Sequence, residues 1–505
     1  MAREVVAITR LTAEATASSP LHVGGWASTP GADAALARDG QGQLVLPGSS
    51  LAGALRAALG QPWQPPPPGR VRRSGPPTAA DAIWGAADVA EVGASRVVVQ
   101  DATVSTAPDA VARRDGVGID RAWGSAADTL LYGCELVPAG ASVVLELEVH
   151  STAATEAADL DLLGRIGAAL AAGLPVGART SRGLGVLTAP TEKITVRQVR
   201  YDSPQGYWET AREPGLVTLP SSRPDGGDVL EVEVRWVPRG PVSVGSGQAT
   251  PSVAHLPLAE PLADDAARLR LVLPGTAIAG ALRARAELIC RTVRGQDPPD
   301  PFVEQLAGAP LAAVLFGHAA GVPGSSASPL VAHDCPSTTT FLAADWDTIT
   351  HPADGTDGRA DLPRSVPATN PGATPAELRR TEHVGIDRWT GGASEGRLFC
   401  EYEPHGFDFE PIRLRLRRGR IPDPQVRDAA TALLLLTLRE LAAGRVPLGG
   451  RQQSGHGDIE VTRVRLRGAG LDHDGAGPPD LTGPVPELAG LRRAWRAHLG
   501  REGTP

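Results

Sequence analysis

Two glycine-rich segments hold the residues best suited to gripping a phosphate: VGARTSRGLG at 176–185 and LGGRQQSGHG at 448–457. Glycine lets backbone amides approach an oxyanion closely, and Arg179, Arg182 and Arg451 add charge in a bidentate form. The same composition also suits a tight turn between a helix and a strand for geometric reasons alone. Neither loop has the Gly-Lys-Ser/Thr of a P-loop, which argues against a nucleotide triphosphatase. A second site of chemistry precedes a helix. There His22, Gly24 and Gly25 lead towards Asp33, Arg38 and Asp39, and Pro47-Gly48 opens a helix whose N-terminal amides favour an anion. Asp33 is then either a solvated turn residue or a carboxylate close to a phosphodiester held there. His22 and His456 are open to two readings, acid–base catalysts or structural rings beside glycine turns. Cys134, Cys290, Cys335 and Cys400 are scattered with no CxxC pair, as expected of buried reduced thiols rather than zinc ligands or disulfides.

These segments recur because the chain repeats itself. LPGSSLAGALRA at 46–57 and LPGTAIAGALRA at 273–284 agree at nine of twelve positions. Ile83-Trp84-Gly85 is answered by Leu315-Phe316-Gly317, and Gln100-Asp101-Ala102 by His333-Asp334-Cys335. Val117 to Arg121 returns unchanged at Val384 to Arg388, and Ser181 to Gly185 is answered by Ser454 to Gly457. Matches in one order mean a tandem duplication. The expected layout is a first domain over 1–200, a linker over 201–227, a second domain over 228–468 with an insertion near 336–380, and a tail over 469–505.

The elements that must position these residues follow from periodicity. In the first half a strand is expected over 5–17 and a helix from about Ser50. Ser49 or Ser50 would cap that helix, Leu51, Leu55 and Leu59 would share one face, and Gly60 would end it. A short helix ends at Trp84, a strand covers 96–99, and two strands over 130–150 flank a Pro138–Gly140 turn. A helix over 159–172 and a strand over 185–199 complete the half. The second half repeats this with a strand over 229–237, a helix over 276–291, and strands near Leu330, at 398–402 and at 412–416. A helix over 425–443 and a strand over 457–466 follow. The order β-α-β-β-α-β predicts an α+β fold of two tandem ferredoxin-like, RRM-like domains.

Composition limits function. The 505 residues carry a net charge of −8, which excludes a diffuse basic coat for nucleic acid but not a basic groove. Arginine supplies nearly all the positive charge, Lys193 being the only lysine. The apolar runs near 163–178 and 430–438 are too short or too interrupted to span a bilayer, and residues 1–4 lead into a strand, so a cytoplasmic protein is expected.

The ordered set of motifs resembles the RAMP superfamily of CRISPR systems, and within it the backbone subunits of type III effector complexes; two copies in one chain look like the tandem fusions of type III-D systems. The resemblance implies domains that hold a guide RNA, with a β-hairpin thumb in each copy, within 103–131 and 336–398, wedging between target bases. It also implies partners: guide RNA, single-stranded target RNA and other subunits of the complex. By the same resemblance the chain is a metal-dependent endoribonuclease, with Mg²⁺ or another divalent cation. Asp33, six residues before Asp39 and fourteen before Pro47, matches the position of the cleaving aspartate. In the second copy Glu260 stands fourteen residues before Pro274, with Asp264 at shifted spacing. Candidate RNA contacts are His22, Gly24, Gly25, Arg38, Ser49, Ser50 and Arg56 around the first helix, and Arg179, Ser181, Arg182, Gly183 and Gly185 in the first glycine-rich loop. Arg121, Arg283 and Arg388 join them, with Arg451, Ser454, Gly455 and Gly457 in the second loop. Asp120-Arg121 and Asp387-Arg388 equally suit local salt bridges, and Trp123 and Trp389 are candidates for stacking on bases. A non-catalytic scaffold in the same complex and a guide-processing ribonuclease acting through His22 or His456 are the alternative readings.

Overall fold

The computed structural model describes residues 4–25, 33–61, 78–85, 94–106, 110–220, 228–250, 253–262, 265–300, 302–307, 309–318, 327–350, 376–481, 483 and 485–501. Asp264 and most of the 336–380 insertion lie outside the described residues. The chain divides into two compact units. The first comprises Met1–Arg113, Gly133–Thr180 and Leu184–Gly226; the second comprises Arg114–Tyr132, Ser181–Gly183 and Gly227–Pro505.

In the first repeat, in chain order, the elements are β1 (Ala7–Ala17), α1 (Gly48–Ala58), β2 (Val97–Val99), β3 (Ala112–Ile119), β4 (Ala126–Leu136), β5 (Ser142–Ser151), α2 (Glu156–Ala172) and β6 (Ile194–Arg200). Strand β1 alternates buried and outward residues along its length, the signature of a sheet packed on one face. It pairs antiparallel with β6 and with β5, Leu11 facing both Val196 and Leu147. With β2 beside β5, the order is β6-β1-β5-β2, the fourth, first, third and second strands of a ferredoxin-like sheet. Helices α1 and α2 bury Leu51, Leu55, Leu163, Ile166 and Leu170 in the core against it.

The second repeat continues with β7 (Val229–Pro238), α3 (Gly275–Thr292), β8 (Leu330–Ala332), β9 (Glu377–Ile386), β10 (Ala393–His405), β11 (Ile412–Arg417), α4 (Pro424–Ala442) and β12 (Ile459–Gly468). Its sheet runs β8-β11-β7-β12, the same connectivity, with Val232 facing Leu414 and Leu466. Both repeats therefore carry the expected α+β ferredoxin-like fold.

Several expectations are corrected. The strands around Pro138–Gly140 do not pair with each other: β4 joins β3 in a two-stranded hairpin, while β5 enters the main sheet. Residues 398–402 belong likewise to the hairpin β9–β10 rather than to the core sheet. The strand expected over 185–199 is interrupted by a 3-10 turn at Thr191–Lys193. Segments expected to be irregular contain structure: Pro204–Arg212 is a helix capped by Ser203, and Cys335–Leu342 is a strand whose Phe341 packs with Ile349 of the helix Ala343–Thr350. Among the described residues no helix is long and apolar enough to cross a membrane.

The cap of α1 is also different. Neither Ser49 nor Ser50 caps it; the helix begins at Gly48, whose N–H donates to Asp101 Oδ1 at 2.7 Å. In α3 the N–H of Gly275 donates to Asp334 Oδ1 at 2.8 Å. Glycine is required in both places, because a Cβ would stand 2.2 Å from the Val99 carbonyl oxygen or 2.1 Å from that of Ala332. The repeated Leu-Pro-Gly and the repeated Asp are thus two halves of one clamp. It places a carboxylate of the protein at the helix N-terminus, where the sequence suggested room for an RNA phosphate.

Candidate nucleic-acid interface

Asp33 lies exposed on a loop stitched in place from two sides. On one side this loop pairs with the loop after β1: the Gly25 N–H donates to Ala35 O at 2.9 Å and the Ala37 N–H to Val23 O at 2.8 Å. Gly25 is needed there, since a Cβ would come within 2.7 Å of Leu36 O. On the other side Asp33 and Gly133 of β4 exchange two bonds. The Asp33 N–H donates to Gly133 O at 2.9 Å, and the Gly133 N–H to Asp33 Oδ2 at 2.7 Å. Glu135 completes the frame, its buried Oε2 accepting the Leu36 N–H at 3.0 Å. His22 is part of this frame: only 4% exposed, it holds Nδ1 2.8 Å from Glu135 O. A ring so buried offers a ligand almost no surface.

The second repeat has the same stitching, and its register identifies the counterpart of Asp33. Ser246 donates to Leu256 O at 2.9 Å and Leu258 to Val244 O at 2.7 Å, matching the two bonds around Gly25 and Ala37. The Ala254 N–H donates to Cys400 O at 2.9 Å, as Asp33 does to Gly133. Ala254 therefore occupies the aspartate's place, and Glu260 is the counterpart of Asp39. Counting back from Leu-Pro-Gly misleads because the stretch from Glu260 to Pro274 is six residues longer than that from Asp39 to Pro47. Glu260 has another role. It receives the Arg114 guanidinium, which also reaches Asp334 Oδ2 at 2.8 Å, all within the second unit. Burial works against that guanidinium's charge, but Asp334 and Glu260 outweigh it and hold its pKa above the ordinary value.

The glycine-rich loops owe most of their glycines to packing. Gly177 and Gly449 have φ of 82° and 91°, and a Cβ on either would stand 2.3 Å from the carbonyl oxygen of His22 or Ser243. Gly185 and Gly457 are buried, and a Cβ there would meet Val176 O at 2.0 Å or Leu448 O at 2.5 Å. Arg179 and Arg451 share a left-handed backbone, φ 59° and 55°, at the matching point of each loop. Arg451 pairs with Glu401 at 2.7 Å, and exposed Arg182 donates to Tyr132 Oη at 3.0 Å. Ser181 is half-buried and Gly183 buried, whereas Ser454 and Gly455 are exposed.

The repeated Val-Gly-Ile-Asp-Arg forms the turns of the two hairpins. The N–H groups of Ala122 and Trp123 donate to Asp120 Oδ1 at 2.8 and 3.0 Å, and those of Trp389 and Thr390 to Asp387 Oδ1 at 2.7 and 3.0 Å. Those amides, Trp123 foremost for Asp120 and Thr390 for Asp387, hold both carboxyls below the usual range. The turns leave Trp123 74% and Trp389 96% exposed. Arg121 is spent on Glu287 Oε2 at 2.9 Å, while Arg388 is exposed.

The sequence matches the RAMP superfamily over residues 14–188 and 241–460, more than half of the chain and one stretch per repeat. The chain belongs to the RAMP superfamily. No curated protein matches it in sequence.

In the first RAMP repeat Arg38 is exposed and bonds Gly42 O at 3.0 Å, Ser49 is exposed and Ser50 half-buried, and Arg56 reaches Gln61 O at 3.3 Å. In the second, Arg283 is held by Glu287 at 2.7 Å and by Gly317 O at 3.1 Å. Among the described residues the outer face of the first sheet shows Arg10, Thr12, Glu14, Glu146, Glu148 and Arg197 and no aromatic platform, and the exposed indoles are those of the hairpin turns and of Trp208. Sequence reasoning missed a group on the second hairpin: His383 on β9 with Glu401 and Glu403 on β10, their ligand atoms within 4.8 Å of one another. Its signal was present as Glu-x-Glu-x-His at 401–405, a period-2 pattern that puts ionisable groups on one face of a strand.

Proposed function

We propose that this RAMP protein is a guide-RNA-binding backbone subunit of a type III CRISPR effector complex, and that its first repeat cleaves guide-paired target RNA at Asp33. The observation that supports this most is the fixation of an exposed aspartate by Gly133, at the base of the hairpin whose turn carries Trp123. RNA supplies its own nucleophile. Where the strand kinks, a 2′-OH comes in line with the neighbouring phosphorus, and a positioned carboxylate accepts its proton. Asp33 Oδ2 is aimed by the Gly133 N–H, so the group presented to RNA is held rather than free to rotate.

A divalent cation fits this site only in part. Among the described residues the one group of three metal-ligating side chains is elsewhere, at His383. Asp33 alone would share a Mg²⁺ with RNA phosphate oxygens, the kind of site in which Mg²⁺ keeps several waters. Bound there, the ion would stabilise the charge developing on the phosphate. Processing of guide RNA through histidine is less well supported, because His22 is buried in the loop frame and His456 stands 3.3 Å from Glu403.

The test is to co-express the chain with its neighbouring operon subunits and a guide, then add labelled complementary RNA with Mg²⁺. Wild type should cut at fixed positions and Asp33→Ala should lose a cut while still holding guide. Equal cutting by both removes Asp33 from the reaction. Guide binding with no cutting by either makes the chain a scaffold.

A further inference from the structure

We infer that the second repeat holds a Zn²⁺-class divalent cation between the hairpin β9–β10 and the second glycine-rich loop, bound by His383, Glu401 and Glu403 with His456 beside Glu403. The inference is independent of RNA cleavage and concerns a different place from Asp33.

The ligand atoms already converge. His383 Nε2 stands 2.8 Å from Glu401 Oε1 and 3.3 Å from Glu403 Oε1, and His456 Nε2 is 3.3 Å from that same Glu403 oxygen. Nitrogen and oxygen ligands about 2.0 Å from a tetrahedral ion stand ~3.3 Å apart. The remaining carboxylate oxygens are steered away from the centre: Glu401 Oε2 by Arg451 Nη1 at 2.7 Å, Glu403 Oε2 by His405 Nε2 at 3.4 Å. Such outer partners orient ligands in built metal sites. Phe399 backs the site, with the His383 ring stacked on it at 5.3 Å and the Arg451 guanidinium 5.1 Å from its centroid.

A second observation points to a missing ligand. Glu401 is 4% exposed, and its Oε1 and His383 Nε2 are buried without a hydrogen-bond partner among the described residues. At 2.8 Å the two form an ion pair that lacks hydrogen-bond geometry, which leaves both buried atoms open to a third partner. A shared cation satisfies both.

The first repeat shows that the fold does not require this chemistry. By the register that equates Gly133 with Cys400 and Gly185 with Gly457, the counterparts of Glu401, Glu403 and His456 are Cys134, Leu136 and Leu184. Those three form a small apolar cluster packed against Ala34. His383 corresponds to Gly116. One repeat fills the place with hydrocarbon and a thiol; the other has imidazoles and carboxylates. Imidazole with carboxylate and no thiolate suits Zn²⁺ and neighbouring first-row ions rather than Mg²⁺.

The experiment uses the full chain, stripped with chelator and titrated with Zn²⁺ against a chromophoric competitor, with Mg²⁺ as a parallel arm. One Zn²⁺ per chain should bind and resist excess Mg²⁺, and X-ray absorption should show nitrogen and oxygen ligands without sulfur. His383→Ala and Glu401→Gln should each weaken binding at least tenfold. Glu403→Leu combined with His456→Leu installs the side chains of the first repeat, so this variant should fold, as judged by circular dichroism, and bind no Zn²⁺. Undiminished binding by that folded variant, sulfur in the coordination sphere, or no stoichiometric Zn²⁺ in wild type would each overturn the inference.

Discussion

Asp33 and Gly133 exchange a pair of hydrogen bonds, backbone N–H to carbonyl at 2.9 Å and backbone N–H to carboxylate at 2.7 Å. The loop is thereby tied to the hairpin strand at one residue. Asp33→Ala removes only the second bond and should cost about 1–2 kcal/mol, well within the stability of a domain this size. The expected outcome is a folded, guide-binding chain that fails to cut at one position. Because Ala254 holds the equivalent place, Ala254→Asp is the informative companion: if the carboxylate is what matters, a new cut appears. Gel analysis of end-labelled target reads both.

Arg114 lies 8% exposed between Glu260 and Asp334, with both carboxylates on its guanidinium. Removing the cation leaves two nearly buried anions facing each other. Arg114→Ala should destabilise the protein by about 3–5 kcal/mol, the usual consequence of breaking a buried pair from one side. Adding Glu260→Gln should recover part of that loss. Urea denaturation of the single and double variants measures it, and no recovery would show that Arg114 acts through packing alone.

Asp101 and Asp334 each accept the first N–H of a helix whose start is a tightly packed glycine. Asp101→Ala should cost about 1 kcal/mol, typical of a lost N-cap, with Asn restoring most of it, whereas Asp334→Ala should cost more because it also takes a carboxylate from buried Arg114. Gly48→Ala should cost more than Asp101→Ala, since its Cβ would stand 2.2 Å from the Val99 carbonyl oxygen.

Cys335 is buried, and burial pushes its thiol up to about 12 although Trp236 opposes the shift. At pH 8 its thiolate fraction is on the order of 10⁻⁴, so the native protein should resist alkylation there and react once unfolded. The raised value also sets a stability trend. The contribution is whole below the unfolded thiol's value near 9.0 and is lost as pH rises from there towards 12. Timed iodoacetamide labelling with and without urea gives the first result, and thermal melts across alkaline pH give the second. Fast native labelling at Cys335 would contradict the burial.

The repeat made the two β-α-β-β-α-β units legible in sequence, because matched motifs carry the periodicity of one half onto the other. Val-Gly-Ile-Asp-Arg was legible as a shared element, and the family resemblance placed it in a hairpin of each copy; periodicity alone could not, since alternating strands look alike whether they join the core sheet or leave it. The cap on Gly48 could not be read locally: its acceptor, Asp101, lies 53 residues away. Counting from one motif failed for the second copy of Asp33, because a length change fell between the anchor and the site; hydrogen-bond register, which no insertion shifts, identified Ala254. The group around His383 was visible as alternation in one strand, but its partners His383 and His456 arrive from another strand and a loop.

Trp389 is the most exposed large hydrophobic residue described, at 96%, and its N–H is bonded into the turn by Asp387. An indole held out into water by a rigid turn gains nothing for folding. Trp389→Ala should leave the melting temperature unchanged, since surface substitutions of this kind stay within about 0.5 kcal/mol. If the turn stacks on a base, the same change should weaken RNA binding by about 1–3 kcal/mol, and Trp389→Phe should recover most of it. Asp387→Ala tests the turn itself: it frees two N–H groups, so it should loosen the presentation of Trp389 and reduce RNA binding without removing the ring. Fluorescence of the bound complex reports the contact directly. Quenching of Trp389 by single-stranded RNA in the wild type, absent in Trp389→Phe, supports stacking, and unchanged affinity in Trp389→Ala assigns the indole to a protein partner instead.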